Sequence, residues 1–167
     1  MFWQTLIGTI SGFVFSIALF YLTDCIKRKS DRANILKGLR RELKFDLALF
    51  ESWLKGIEDA RLKVAVGDKD IYLYPDYTRF LSIFILQAVR AGILYDLLTD
   101  DDLVGLDKAM RSCNLGAEQE FTEMLTQWRT GQIDNNTMFK TLEFHKFVIT
   151  ASKKALEAIT SKINAAK

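Results

Sequence analysis

The pattern of hydrophobic and polar positions divides the chain into an uncharged N-terminal run and a longer part with helical periodicity. Residues 2–23 contain no Asp, Glu, Lys, Arg or His over 22 positions. At 1.5 Å per helical residue the run spans about 33 Å, slightly more than the hydrocarbon core of a bilayer. Phe2, Trp3 and Tyr21 stand near its ends, where aromatic rings favour the headgroup region. The run therefore predicts a single transmembrane anchor over residues 1–24.

The residues that flank the run distinguish a retained anchor from a cleaved signal peptide. A signal peptide has a basic stretch before an apolar core of about 7–15 residues, followed by a small-residue cleavage site. No Lys or Arg precedes this run, whereas Lys27, Arg28, Lys29 and Arg32 follow it at once. Because positive charge stays on the cytoplasmic side, we expect the N-terminus outside the inner membrane and the rest of the chain in the cytoplasm.

The predicted anchor carries its small residues on one face. Gly8, Gly12 and Ser16 form a small-xxx-small ladder, which lets helix backbones approach closely. Small residues are also common in membrane helices that do not associate. Their restriction to one face favours self-association, so we expect a homo-oligomer, such as a tetramer, in the lipid bilayer.

The rest of the chain predicts an all-α fold. A basic juxtamembrane segment over residues 25–34 precedes a cytosolic helical bundle over residues 35–167. Apolar residues at helical spacing predict four main helices, with short connections between them. These helices cover residues 31–64, 77–98, 100–129 and 136–164. The expected architecture is an N-terminal transmembrane helix followed by an antiparallel four-helix bundle.

The helix predicted over residues 77–98 is apolar on all sides, which is typical of a central buried helix or of a membrane span. A second span over residues 80–98 is the less favoured alternative, because Arg90 would lie inside it and an Arg at the bilayer centre costs about 2.5–3.5 kcal/mol. In a buried helix, Arg90 requires an acidic partner such as Asp96 or Glu120, or an anionic ligand.

The charge is unevenly distributed, although the formal net charge is only +2. Residues 27–63 hold 11 of the 23 Lys and Arg, against 6 acids. One side of the predicted helix over residues 31–64 collects Lys37, Arg40, Arg41, Lys44 and Lys55. Such a stripe is usually a solvated face. The alternatives are attraction to anionic lipid and the binding of a phosphate-bearing ligand.

No motif in the sequence predicts an enzyme. The chain has no Gly-rich phosphate loop, nucleophile elbow or metal-ligand spacing, so no catalytic residue, metal site or cofactor is predicted. His145 is the single histidine and is more typical of a core or interface residue. Cys25 and Cys113 form no disulfide framework and suit a reducing cytoplasm.

The layout resembles that of the small CRISPR-associated membrane effectors, through its apolar N-terminal anchor, the basic run from Lys27 to Arg41, and a small helical domain with Arg90 in an apolar helix. In that family a cytosolic domain binds a cyclic oligoadenylate, oligomers form and the membrane is compromised. The resemblance implies a non-enzymatic membrane effector of antiviral defence that binds no duplex nucleic acid.

A cyclic oligonucleotide would need Arg or Lys for its phosphates, and Tyr or His against its bases. The residues with this chemistry are Arg41, Lys44, Tyr74, Tyr77, Arg79, Arg90 and His145. The alternative function is a membrane-tethered scaffold or adaptor that recruits a partner without gating.

Overall fold

The computed structural model describes the backbone of residues 2–71, 76–113 and 115–166. The side chains of these residues are described except at 2–14, 78 and 115. The described part contains six α-helices and a 3-10 turn over Tyr77–Arg79. The helices are α1 (Phe2–Ala65), α2 (Ile83–Arg90), α3 (Ile93–Leu97), α4 (Asp100–Ser112), α5 (Leu115–Arg129) and α6 (Asn135–Ala165). The all-α prediction is confirmed for these residues.

The number of helices differs from the predicted four. The predicted helix over 77–98 is broken, because Gly92 adopts a left-handed conformation with φ 74° between α2 and α3. The predicted helix over 100–129 is divided into α4, which ends at Ser112, and α5, which begins at Leu115. The sequence Asn114-Leu115-Gly116 predicts a kink or an interruption at this place as an alternative to one helix. The predicted helices over 31–64 and 136–164 are present, the first as the C-terminal half of the longer α1.

Side-chain contacts show that α1 and α6 are antiparallel. Arg40 contacts the backbone at Ile163, near the end of α6. Further along α1, Glu51 pairs with Lys153 at 3.1 Å, and Arg61 pairs with Glu143 near the start of α6.

The segment from the 3-10 turn to α3 also runs antiparallel to α1. The ring of Tyr77 packs edge-on against Trp53 at 4.8 Å between centroids, whereas Asp96 pairs with Arg32, about six helical turns earlier on α1.

Helices α4 and α5 pack one after the other along α6, and together they run antiparallel to it. Asp102 at the start of α4 pairs with Lys162, and Phe121 on α5 contacts His145 at 4.8 Å between ring centroids. The two predicted helices that are broken, over residues 77–98 and 100–129, therefore still occupy the second and third positions of an antiparallel bundle.

The core forms where the apolar faces of these helices meet. Its fully buried large side chains come from α1, α2, α3, α5 and α6, and include Leu39, Leu43, Phe50, Ile57, Ile85, Leu94, Phe121, Trp128, Met138 and Leu142. In contrast, Ile83 and Leu86 of α2 are 61% and 44% exposed. The prediction that the apolar segment around Arg90 is buried on all sides is therefore wrong.

Side-chain caps fix several helix ends. Thr99 and Asp102 form the reciprocal capping box that starts α4, as their spacing predicts. Asp134 accepts a 2.7 Å hydrogen bond from the backbone N–H of Thr137 at the start of α6. At the other end of α6, Arg40 donates to the carbonyl of Ala166 at 2.7 Å. These bonds satisfy backbone groups that a helix end leaves without intrahelical partners.

Two observations on the described residues concern the predicted membrane spans. Among them, no helix combines the length and the apolarity that a membrane crossing requires. The second span considered over residues 80–98 is wrong, because α2 has only eight residues. Gly8 and Gly12 lie in residues 2–14, whose side-chain surroundings are outside the described part, so the anchor and its packing ladder stay predictions from the sequence.

Gly38 provides a test of how α2 packs on α1. It is buried, and a Cβ at this position would lie inside van der Waals distance of three ring atoms of Phe84. We expect Gly38→Ala to lower the free energy of unfolding by about 1–3 kcal/mol, because the ring must move. The measurement is urea or thermal unfolding of the full chain in detergent.

Gly105→Ala is the matched control. A Cβ there would lie 3.4 Å from the Cβ of Ala155, an ordinary contact. Because Ala favours helix over Gly by up to about 1 kcal/mol, this variant should be neutral or slightly stabilised. Equal stability of Gly38→Ala and the wild type would contradict the described packing of Phe84.

Candidate functional site

The first half of α1 projects from the bundle as a single helix. Residues 15–34 are exposed except for the half-buried Asp24, and burial against other elements begins at Ile35 and Leu36. Large apolar side chains are exposed on this projection: Phe15, Ile17, Leu19, Phe20, Tyr21, Leu22 and Ile26. An exposed apolar surface of this kind is typical of a segment covered by lipid or by another protein chain.

Basic side chains surround α1 where the projection meets the bundle. We call Arg28, Lys29, Arg32 and Arg40 the basic collar. They line two shallow clefts that share Arg32. The first cleft, of about 340 Å³, is lined by Arg28, Asp31, Arg32, Ile35, Ala91 and Ile93. The second, of about 280 Å³, is lined by Lys29, Arg32, Ala33, Leu36 and Arg40.

Three of the collar residues have partners in the protein. Arg28 pairs with Asp24 at 2.8 Å on the same helix, and Arg32 pairs with Asp96 of α3 at 3.0 Å. Both pairs are solvent-exposed, so each contributes little to stability, typically about 0–1 kcal/mol. Arg40 is half-buried and holds the end of α6. The exposed guanidinium groups of Arg28 and Arg32 therefore remain accessible to an external anion.

The pairing of Arg32 corrects a prediction for Asp96. The sequence suggests Asp96 as a partner for a buried Arg90, but Asp96 binds Arg32. Arg90 is exposed at the last position of α2, where its guanidinium reaches water.

The other predicted ligand-binding residues are spread over the bundle. Arg41 and Lys44 are exposed on α1, and Arg79 is exposed before α2. Tyr77 is buried in the core, and Tyr74 lies outside the described residues. His145 is half-buried on α6, and burial lowers its pKa. One copy of the chain therefore does not bring the described members of this set into a single pocket.

Two buried carboxylates on α1 were missed from the sequence. Glu42 and Asp46 are one helical turn apart and are 4% and 0% exposed. Glu42 accepts hydrogen bonds of 2.9 Å from the backbone N–H groups of Phe84 and Ile85, and Asp46 accepts one of 2.9 Å from Leu81. Their signal in the sequence is their position beside the apolar stripe of α1, where a solvated acid is not expected.

The buried environment changes the protonation of Asp46. Burial raises the pKa of its carboxyl to about 7, and the nearby charge of Glu42 acts in the same direction. Cys113 lies close by, and burial next to Asp46 raises the pKa of its thiol to about 12. Burial likewise raises the pKa of Tyr77, whose backbone N–H donates to Glu118 at 3.0 Å. Asp46 Oδ2 is buried without a hydrogen-bond partner among the described atoms.

A second surface of interest lies between α4 and α6. It is an apolar groove of about 430 Å³ whose floor is formed by small residues and whose edge carries Phe147, which is 72% exposed. The lining residues are Gly105, Lys108, Ala109, Arg111, Ser112, Phe147, Val148, Ala151, Ser152 and Ala155. No group of three or more His, Cys, Asp or Glu in the described part of the chain is arranged to hold a metal ion.

Asp46 makes stability depend on pH. A solvated Asp ionises near pH 4, so between about pH 4 and 7 the folded protein retains a proton that the unfolded chain has released. The contribution of Asp46 to the free energy of unfolding therefore falls as pH rises through this interval. Asp46→Asn still offers an acceptor to Leu81 and cannot ionise. Its melting temperature should be close to that of the wild type at about pH 5 and above it at about pH 8.

Asp59→Asn, at an exposed position of the same helix, is the control for this measurement. Its melting curve should follow that of the wild type at each pH. A difference between Asp46→Asn and the wild type that stays constant with pH would contradict the raised pKa of the Asp46 carboxyl.

Comparisons of the chain with protein-family models, curated proteins and solved structures found no match. The function of the chain therefore has to be inferred from its own sequence pattern and geometry.

Proposed function

We propose that this protein is a non-enzymatic membrane effector whose helical bundle lies on the cytoplasmic side of the inner membrane. The observation that supports this most directly is the continuity of α1 from Phe2 to Ala65. The uncharged run over residues 2–23, which includes most of the exposed apolar side chains of the projection, is followed on this single helix by the basic collar and then by the buried part of α1. Their order is that of a membrane anchor, an interface and a cytosolic domain.

The continuity of α1 favours an effector over a passive tether. A tether functions with a flexible linker between the anchor and its domain. Here the backbone remains helical between the uncharged run and the bundle, and Pro and Gly are absent from residues 24–37. A change in how bundles associate would therefore alter the tilt or packing of the anchors.

The trigger in this proposal is a ligand that binds between copies of the bundle, such as a cyclic oligonucleotide. Arg41, Lys44, Arg79 and Arg90 are exposed on one copy, on α1, before α2 and at the end of α2. A symmetric polyphosphate that touches several copies would use such separated cations. A buried Tyr77 does not suit base stacking, so we remove it from the proposed ligand-binding set.

Dye release from vesicles that contain the full chain tests the effector proposal. We expect a member of a panel of cyclic oligoadenylates to trigger release. Ser30→Pro should abolish this response, because proline interrupts α1 at an exposed position before the bundle begins. Ser30→Ala should respond as the wild type does.

The outcomes distinguish the effector from a tether. Triggered release that survives Ser30→Pro would contradict coupling through α1. If no member of the panel triggers release, the proposed trigger is wrong and an adaptor becomes the better explanation.

The groove between α4 and α6 favours a membrane-tethered adaptor as the second candidate function. Phe147 and the small residues of this groove offer an apolar surface to a partner helix. In that case the bundle would recruit another protein to the membrane without changing the anchor.

Self-association of the anchor has its own test. Gly12→Leu should weaken homo-oligomers in the bilayer, because a large side chain separates backbones that the small residues allow to touch. Ile10→Leu, about 160° around a helix from Gly12, is the control. Energy transfer between labelled copies in vesicles measures the association, and no change in Gly12→Leu would exclude the ladder from the interface.

A further inference from the structure

We propose that the basic collar is a binding site for the phosphate groups of anionic phospholipids. This inference rests on the proposed anchor. It adds a defined site for the lipid headgroup, at which the carboxylate of Asp96 competes with the lipid phosphate for Arg32. The site consists of the two clefts that share Arg32. Its ligand is a lipid phosphate at the membrane surface.

The position of the collar matches the headgroup layer. The uncharged run ends at Thr23, and Arg28 follows five residues later, a rise of about 7.5 Å along the helix. The polar layer on one side of a bilayer is about 5–7 Å thick. Arg28 and Lys29 would therefore stand at or just below the phosphates when the run spans the hydrocarbon core. Arg32 begins about 13.5 Å from the end of the run, and its long side chain, tilted toward the helix N-terminus, extends back toward the same layer.

The chemistry of the clefts fits a phospholipid. A guanidinium can donate two parallel hydrogen bonds to one phosphate, which suits Arg28 and Arg32. The first cleft also has apolar walls from Ile35 and Ile93, and the second from Leu36. An anion bound there would contact both a cationic group and an apolar surface, as a headgroup with its glycerol does.

The exposed apolar side chains next to the collar favour a lipid over a soluble anion. Tyr21, Leu22 and Ile26 are all more than half exposed on the same helix, immediately before the collar. A free phosphate or a soluble nucleotide would leave these side chains in water. A lipid would cover them with its acyl region while its phosphate occupies the cleft.

Asp96 acts as an internal competitor for the shared residue. Its carboxylate lies 3.0 Å from Arg32, and both side chains are about half exposed. A lipid phosphate must share or displace this carboxylate to bind Arg32. Removal of Asp96 should therefore strengthen lipid binding, whereas removal of Arg32 should weaken it.

The opposite effects expected of the two substitutions distinguish a lipid-binding site from an ion pair with a purely structural role. Both Arg32→Gln and Asp96→Asn break the contact between α1 and α3. If the pair had only a structural role, both variants would shift any signal from the collar in the same direction. Opposite shifts exclude a purely structural pair, and they are expected when an external anion interacts with the charges of both Arg32 and Asp96.

The experiment uses the full chain in nanodiscs, with an environment-sensitive fluorophore on Cys25. Cys25 is exposed beside the collar, whereas burial raises the pKa of Cys113 and protects it from labelling. Phosphatidylglycerol is increased in a phosphatidylcholine bilayer, and the fraction that gives half of the fluorescence change is measured. Arg32→Gln should raise this fraction about fivefold, the factor expected for one basic residue at an anionic surface.

Asp96→Asn should lower the same fraction, and added salt should raise it for every variant. The charge-matched control for Arg32→Gln is Lys154→Gln, at an exposed position on α6. It should leave the fraction unchanged.

Three results would overturn the lipid site. These are no response to phosphatidylglycerol, shifts of Arg32→Gln and Asp96→Asn in the same direction, and a full response to inorganic phosphate in neutral nanodiscs. The last would assign the clefts to a soluble anion.

Alkaline carbonate extraction of vesicles that contain the same protein tests the anchor separately. Protein that stays in the membrane but gives no lipid response contradicts the collar site alone. Protein that is extracted contradicts the proposed anchor.

Discussion

The position of the segment from the 3-10 turn to α3 depends on the hydrogen bonds that the start of α2 donates to the carboxylate of Glu42. Ser82, at the N-cap of α2, makes no side-chain capping bond, so Glu42 supplies the acceptor from the neighbouring helix at 2.9 Å. Bonds to a charged group contribute about 1.5–3 kcal/mol each, and the positive end of α2 stabilises the carboxylate further. Without this acceptor, buried N–H groups would lack partners. Gly38 completes the arrangement because it gives Phe84 room against α1.

The sequence predicts the helices best where long apolar periodicity and local caps agree. The helix predicted over residues 136–164 is observed over Asn135–Ala165, with Asp134 capping its start. Thr99 and Asp102 likewise mark the start of α4, because a capping box depends only on residues three apart. The break at Gly92 was missed because the residues on both sides of it are apolar. One Gly in such a run indicates no break unless its backbone conformation is known.

The candidate sites were less predictable because they depend on contacts between distant residues. Basic residues after an uncharged run predict a charged interface, and the collar lies there. The turn between α2 and α3 packs against α1 and so decides which basic side chains share a cleft. This contact joins residues far apart in the sequence, so no local pattern predicts it. For the same reason, the sequence suggests Asp96 as one of several partners for Arg90, whereas the structure pairs it with Arg32. The buried Asp46 likewise accepts a hydrogen bond from Leu81, a residue 35 positions away.

Three bonds of α1 explain why the proposed anchor and the bundle would move together. Arg32 binds α3, Arg40 binds the end of α6, and Glu42 binds the start of α2. These residues lie within about 15 Å along one helix axis. A tilt of α1 at the membrane would therefore strain contacts with three other helices at once. Conversely, a ligand or partner that shifts those helices would act on the part of α1 that follows the proposed anchor.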